Sequence, residues 1–80
     1  MRVMVALYPG DPGVTYEAAE GIAVGDRVKV PYGNAPERIR EGEIIALGSQ
    51  PRRYPDGREE PAYTGPCKRI IEVLDEGGER

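Results

Sequence analysis

The sequence predicts an all-β fold: a small barrel or sandwich of five short strands, with a long polar loop before the last one. Two observations carry this. Short runs alternate apolar and polar residues, most clearly Val28, Val30 and Tyr32 against Arg27, Lys29 and Pro31. Turn-forming residues separate the runs, and 11 Gly with 8 Pro in 80 residues leave little room for a long helix. A barrel is favoured because it removes sheet edges that so small a chain has nothing to cover with.

Taken in order, residues 2–8 place Val3, Val5 and Leu7 on one face and read as a first strand, which Pro9-Gly10-Asp11-Pro12-Gly13 stops. Val14–Ala18 reads as a second short strand. Glu20-Gly21 and Val24-Gly25-Asp26 then bracket a tight connection to Arg27–Tyr32, the third strand. Pro31 lacks an amide hydrogen, so it belongs at a sheet edge or a strand end. Gly33-Asn34-Ala35-Pro36 starts a turn, and the polar stretch to Glu41 reads as a hairpin connection. Gly42–Leu47 is the fourth strand, ended by Gly48-Ser49. Residues 49–66 hold Pro51, Pro55, Pro61 and Pro66 and read as a long polar excursion, disordered or functional. Lys68–Leu74, β-branched at Ile70, Ile71 and Val73, is the fifth strand. Residues 1–76 form one domain, and Asp75–Arg80 begins a frayed tail, with 77–80 flexible.

Composition excludes several chemistries. With no His there is no Ser-His-Asp or Cys-His nucleophile and no imidazole proton shuttle. One thiol, Cys67, allows neither a disulfide framework nor a cysteine zinc cage. The carboxylates fall in turns and tails, with no spacing that marks a general acid/base pair. The glycines never form a phosphate-cradling loop followed by a helix. No catalytic residue, metal or cofactor is therefore expected, and the chain reads as a binding module rather than an enzyme. Cys67 lies beside Lys68 and Arg69, which would favour a reactive thiolate, but a small residue filling the core at a strand start is the simpler reading. No apolar run approaches the roughly 18 residues of a membrane span, and no signal-peptide-length run follows Met1. With an unpaired Cys67, these features point to a cytoplasmic protein that meets no membrane.

The net charge of −3 is unevenly spread. Residues 1–26 and 59–80 are each −3, whereas 27–58 are +3 through Arg27, Lys29, Arg38, Arg40, Arg52, Arg53 and Arg58. A protein that coats a duplex needs a broad basic excess. Contact with nucleic acid here would have to run through a local pocket.

The most distinctive stretch is Gly25-Asp26-Arg27-Val28-Lys29-Val30-Pro31-Tyr32-Gly33, a strand of apolar and basic residues that runs into Pro-aromatic-Gly. With Val5-Ala6-Leu7, Glu20-Gly21, Gly42-Glu43-Ile44-Ile45 and Lys68-Arg69-Ile70-Ile71-Glu72-Val73-Leu74-Asp75 in the same order, it resembles the N-terminal 3′-end-binding domain of the primosomal replication-restart helicase, the PriA family. The likeness spans nearly the whole chain, without the helicase. It implies a small OB-like barrel that captures the terminal nucleotide of a DNA strand during replication. It also implies a pocket made by an aromatic residue, an Asp for the 3′ hydroxyl, the Gly after Pro-aromatic and the Lys opening the last strand. Gly33 and Lys68 match the last two. For the first two, an ungapped count back from Glu20-Gly21 gives Val14 and Thr15. A two-residue gap gives Tyr16 and Glu17, an aromatic–acid pair suited to stacking on a base and accepting from a hydroxyl.

Two functions follow. The chain binds a DNA 3′ end or single-stranded DNA through Gly33, Lys68, Tyr16, Glu17, Tyr32 and Arg27. Alternatively, the same fold has lost its nucleotide pocket and docks a protein, in replication or elsewhere, through the Arg-rich 49–60 segment.

Overall fold

The computed structural model describes residues 1–34 and 37–75. They fold as a single all-β domain with seven strands: β1 (Arg2–Ala6), β2 (Val14–Glu17), β3 (Arg27–Tyr32), β4 (Arg38–Leu47), β5 (Arg52–Arg53), β6 (Glu59–Glu60) and β7 (Glu72–Asp75). Five form one antiparallel sheet in the order β2-β1-β4-β3-β7, and β5 and β6 pair separately. No helix occurs among the described residues, so none is long and apolar enough to cross a membrane.

The alternation along β1 works as the sequence implies. Val3 and Val5 bury fully beside Val28, Val30 and Ile44, and Tyr16 and Ala18 complete the core. Leu7, Val14, Ile22 and Ile70 pack around it. Burying each such side chain stabilises the fold by about 1.5–3 kcal/mol. The opposite face of β1 is covered too. Met4 is 2% exposed and lies beneath Gly13 and Ile45, and Gln50 N donates to its Sδ at 3.3 Å. The register between β1 and β4 shifts between Met4 and Val5, leaving Ile45 as an extra residue that bends β4.

Four expectations change. Polar residues 38–41 are strand rather than connection, because β4 pairs from Arg38 to Glu43 against β3 and its polar side chains face solvent. The 49–66 stretch is ordered around the β5–β6 hairpin. Its turn is Pro55-Asp56-Gly57: Gly57 has φ +90°, Gly57 N donates to Tyr54 O, and Asp56 Oδ1 accepts from Arg58 N. The last ladder covers only Glu72–Asp75, so Asp75 is strand rather than tail. Residues 68–71 are held instead by separate bonds, in which Glu17 N donates to Lys68 O, Ile70 N to Glu17 O and Ile71 N to Lys29 O. Finally, among the described residues the sheet is not closed by a ladder between its outer strands: β2 meets only the segment before β7, through one isolated parallel bridge between Glu17 and Arg69. Ala35 and Pro36 of the expected turn, and the expected tail from Glu76 on, lie outside the described residues.

Pro31 sits where its missing amide does no harm. It pairs with Ile39 of β4, but β7 reaches only Arg27–Lys29, so β3 has no second neighbour at Pro31.

Candidate functional site

The bonds around Glu17 decide where Lys68 goes. Because the Glu17 amide holds the Lys68 carbonyl at 2.8 Å, the residues before Lys68 are drawn against β2 and across from the end of β3. From there the Lys68 ammonium reaches the β3–β4 turn. Its Nζ donates to Gly33 O at 2.6 Å and lies 2.5 Å from Glu37 Oε2. The two residues are 35 apart in sequence. Gly33 turns the chain at φ +87°, a conformation that strains a residue bearing a Cβ. Nothing lies within 4 Å of the place where such a Cβ would stand, so the backbone here is open to a ligand.

Beside this contact lies a cavity of about 340 Å³. β2 contributes Val14, Thr15 and Tyr16, and the end of β3 contributes Pro31, Tyr32 and Gly33. Arg52 and Tyr63, from the segment that read as a loop, close the remaining side together with residues 66–68. Arg52 and Lys68 are the charged residues of the lining, and no carboxylate joins them among the described residues. The volume is at the lower end of the roughly 300–1,000 Å³ of ligand pockets.

Each wall is fixed. Tyr63 Oη donates to Pro66 O at 2.6 Å, while Tyr63 O accepts from Ser49 Oγ at 2.5 Å and from Arg2 Nη1. The ring crosses Gly65 so closely that a Cβ there would stand 2.6 Å from Tyr63 Oη. Arg52 donates to Gly13 O and pairs with Glu60 at 3.3 Å. Glu60 also accepts a hydrogen bond from Tyr54 Oη, which holds the Glu60 carboxyl below the usual carboxylate range and raises the Tyr54 phenol. The hairpin arginines are paired within the hairpin: Arg53 with Glu59 and Arg58 with Asp56. The hairpin is therefore a built wall of the cavity.

Four of the six residues expected at a binding site come together here: Gly33, Lys68, Tyr16 and Tyr32 all line the cavity. Tyr32 is 42% exposed and offers its ring. Tyr16 is only 2% exposed, and its Oη donates to Pro31 O at 2.9 Å. That bond and its burial make it a strut between β2 and β3 and leave little ring face for a ligand. Burial, followed by the nearby Tyr32, Asp11 and Glu37, pushes its phenol up to about 12. Arg27 lies elsewhere, and Glu17 touches the lining only through Cys67, whose Sγ donates to Glu17 Oε1 at 3.9 Å. The Glu17 carboxylate takes Arg2 Nε at 3.2 Å and faces the amino terminus at 3.8 Å, outside the cavity lining. Arg27 borders a different cavity, with Glu41 and Glu43. Of the two alignments for the aromatic–acid pair, Val14 and Thr15 both line the cavity, whereas Tyr16 and Glu17 are split by it.

No protein-family model, curated protein or solved structure matches this chain. The site is thus read from its own geometry. Sequence reasoning missed Arg52, Tyr63 and Asn34, all part of the lining. A usable signal was present for two of them, since Arg52-Arg53-Tyr54 and Tyr63 interleave cations with aromatic rings, the composition that single-strand grooves employ.

Proposed function

We propose that this domain is a non-enzymatic binding module that takes the 3′ end of a single DNA strand in the cavity between Gly33 and Lys68. The observation that carries the reading is the direct bond from Lys68 Nζ to Gly33 O at the edge of a cavity whose lining, among the described residues, holds two cations and three tyrosines. These are the two residues that match the primosomal helicase domain, and the replication setting comes from that resemblance. The bridge from Glu17 of edge strand β2 to Arg69, just before edge strand β7, supports reading the fold as a small OB-like barrel.

In this reading Tyr32 and Tyr63 provide ring faces for the terminal base, and Lys68 and Arg52 meet its phosphate. Thr15 stands where the resemblance calls for an Asp. A hydroxyl both donates to and accepts from a sugar hydroxyl, but it carries no charge to repel a terminal phosphate. Recognition of the end therefore rests on hydrogen bonding to the terminal hydroxyl rather than on charge. The alternative of a protein docked by residues 49–60 has less behind it, because Arg53 and Arg58 pair with the hairpin's own Glu59 and Asp56 and neither lines the cavity.

Fluorescence anisotropy at low salt with a linear single strand, competed by a closed circular strand of the same length, tests the reading. The linear strand is expected to bind, more weakly as salt rises, and to compete better than the circle. Equal competition by both would remove end recognition, and no binding at low salt would remove the reading altogether.

A further inference from the structure

All five tyrosines of the chain line two adjoining cavities. The second, of about 200 Å³, shares Val14, Tyr32 and Arg52 with the first, so the two adjoin, with Arg52 in the lining of both. Its own walls are Tyr8, from the turn after β1, Tyr54, from the hairpin, and Arg40, from β4. Tyr8 is 60% exposed although it is among the largest apolar surfaces of the molecule, and no core contact explains its position. The Arg40 guanidinium sits 5.6 Å from the Tyr32 ring centre, and that of Arg58 sits 4.8 Å from the ring centre of Tyr54. The one carboxylate in this lining, Asp11, is used by the turn: it accepts from Leu7 N at 2.8 Å and from Gly13 N at 3.0 Å.

Exposed rings backed by guanidinium groups are what successive bases stack on, whatever their sequence. We propose that the Tyr8–Tyr54–Arg40 cavity is a second subsite, which takes the base next to the terminal nucleotide, with Arg52 receiving the phosphate that joins the two. This rests on the first cavity taking a terminal nucleotide. It gives the strand a direction, with its end at Lys68 and its continuation over the hairpin turn side of the domain. Arg52 suits the junction because its present partner, Glu60, is an exposed carboxylate that a phosphate displaces without uncovering a buried charge.

The test is a pair of titrations, with thymidine 5′-monophosphate and with the dinucleotide d(TpT), followed by calorimetry or by amide shifts. Stacking of one added base predicts that d(TpT) binds about 5- to 150-fold more tightly than the mononucleotide. Tyr8→Ala, at a largely exposed position, removes most of that gain and leaves mononucleotide affinity unchanged. Lys68→Ala weakens both ligands. Equal affinity of the two ligands, or a Tyr8→Ala variant that keeps the full gain, overturns the second subsite and leaves the first in place. Failure of both ligands to bind overturns both.

Discussion

Lys68 and Gly33 are joined by a 2.6 Å hydrogen bond from the side-chain ammonium to the backbone carbonyl, and Glu37 meets the same ammonium at 2.5 Å. Lys68 is thus held at the cavity edge by one bond that positions it and one ion pair that competes with any phosphate. The pair is solvent-exposed, with 44% and 47% of the two side chains accessible, so its attraction is small.

Glu37→Gln therefore frees Lys68 for a ligand. The variant binds a single strand up to about fivefold more tightly, as expected from releasing a surface ion pair. Lys68→Ala binds more weakly and lowers the slope of log affinity against log salt by about 1. Both are read in one anisotropy series across salt concentrations.

Gly33→Ala and Gly42→Ala lose stability for opposite reasons. At Gly33 the added methyl meets nothing within 4 Å, and the loss is the backbone strain at φ +87°, about 1–2 kcal/mol. At Gly42 the methyl would stand 2.5 Å from Val5 Cγ1 and 2.6 Å from Ala6 O, in the packed seam between β1 and β4. Overpacking there costs about 1–3 kcal/mol. Gly33→Asn separates the mechanisms under urea denaturation. Asn enters the left-handed region more readily than Ala, so Gly33→Asn recovers part of the stability lost by Gly33→Ala.

Tyr16→Phe leaves the Pro31 carbonyl without its phenol partner and costs about 1 kcal/mol. The pH dependence carries a second signature. The folded phenol is raised to about 12, against its ordinary value of 10.0. The unfolded chain therefore loses this proton first as pH rises, and stability falls through the window between those values. In Tyr16→Phe the decline over the same window is shallower, as urea midpoints measured at several alkaline pH values would show.

Much of the fold was legible because β3 alternates cleanly and β1 sets Val3 and Val5 on one face: Val3, Val5, Val28 and Val30 were readable as core and are buried, although Met4 on the other face of β1 is buried as well. The Pro-aromatic-Gly motif likewise marked Gly33 as a turn with open backbone. Residues 49–66 were not legible as structure. Four prolines hid a two-residue ladder whose partners, Arg52 with Glu60 and Arg53 with Glu59, are charged and nearly all exposed, so no apolar pattern announced them. Arg38–Glu41 was missed for the same reason, since its strand character comes from pairing with β3 rather than from burial. Half of the site thus came from the alternating strands. The other half depended on tertiary contacts: Arg52 sits on a hairpin anchored at Met4 and Gly13, and Tyr63 is held by Arg2 and Ser49. The role of Tyr16 turned on register: in β2 it points into the core and serves Pro31, while its neighbour Glu17 goes to Arg2.

The most direct measurement is a backbone amide shift titration of the isotopically labelled protein with a short single DNA strand bearing a free 3′ end. Saturable shifts are expected to cluster at Thr15, Gly33, Asn34, Tyr63 and Lys68 and to weaken together in Lys68→Ala. Shifts confined to the face of Glu20, Ile22 and Ile71, or no shifts at low salt, would contradict the proposed site.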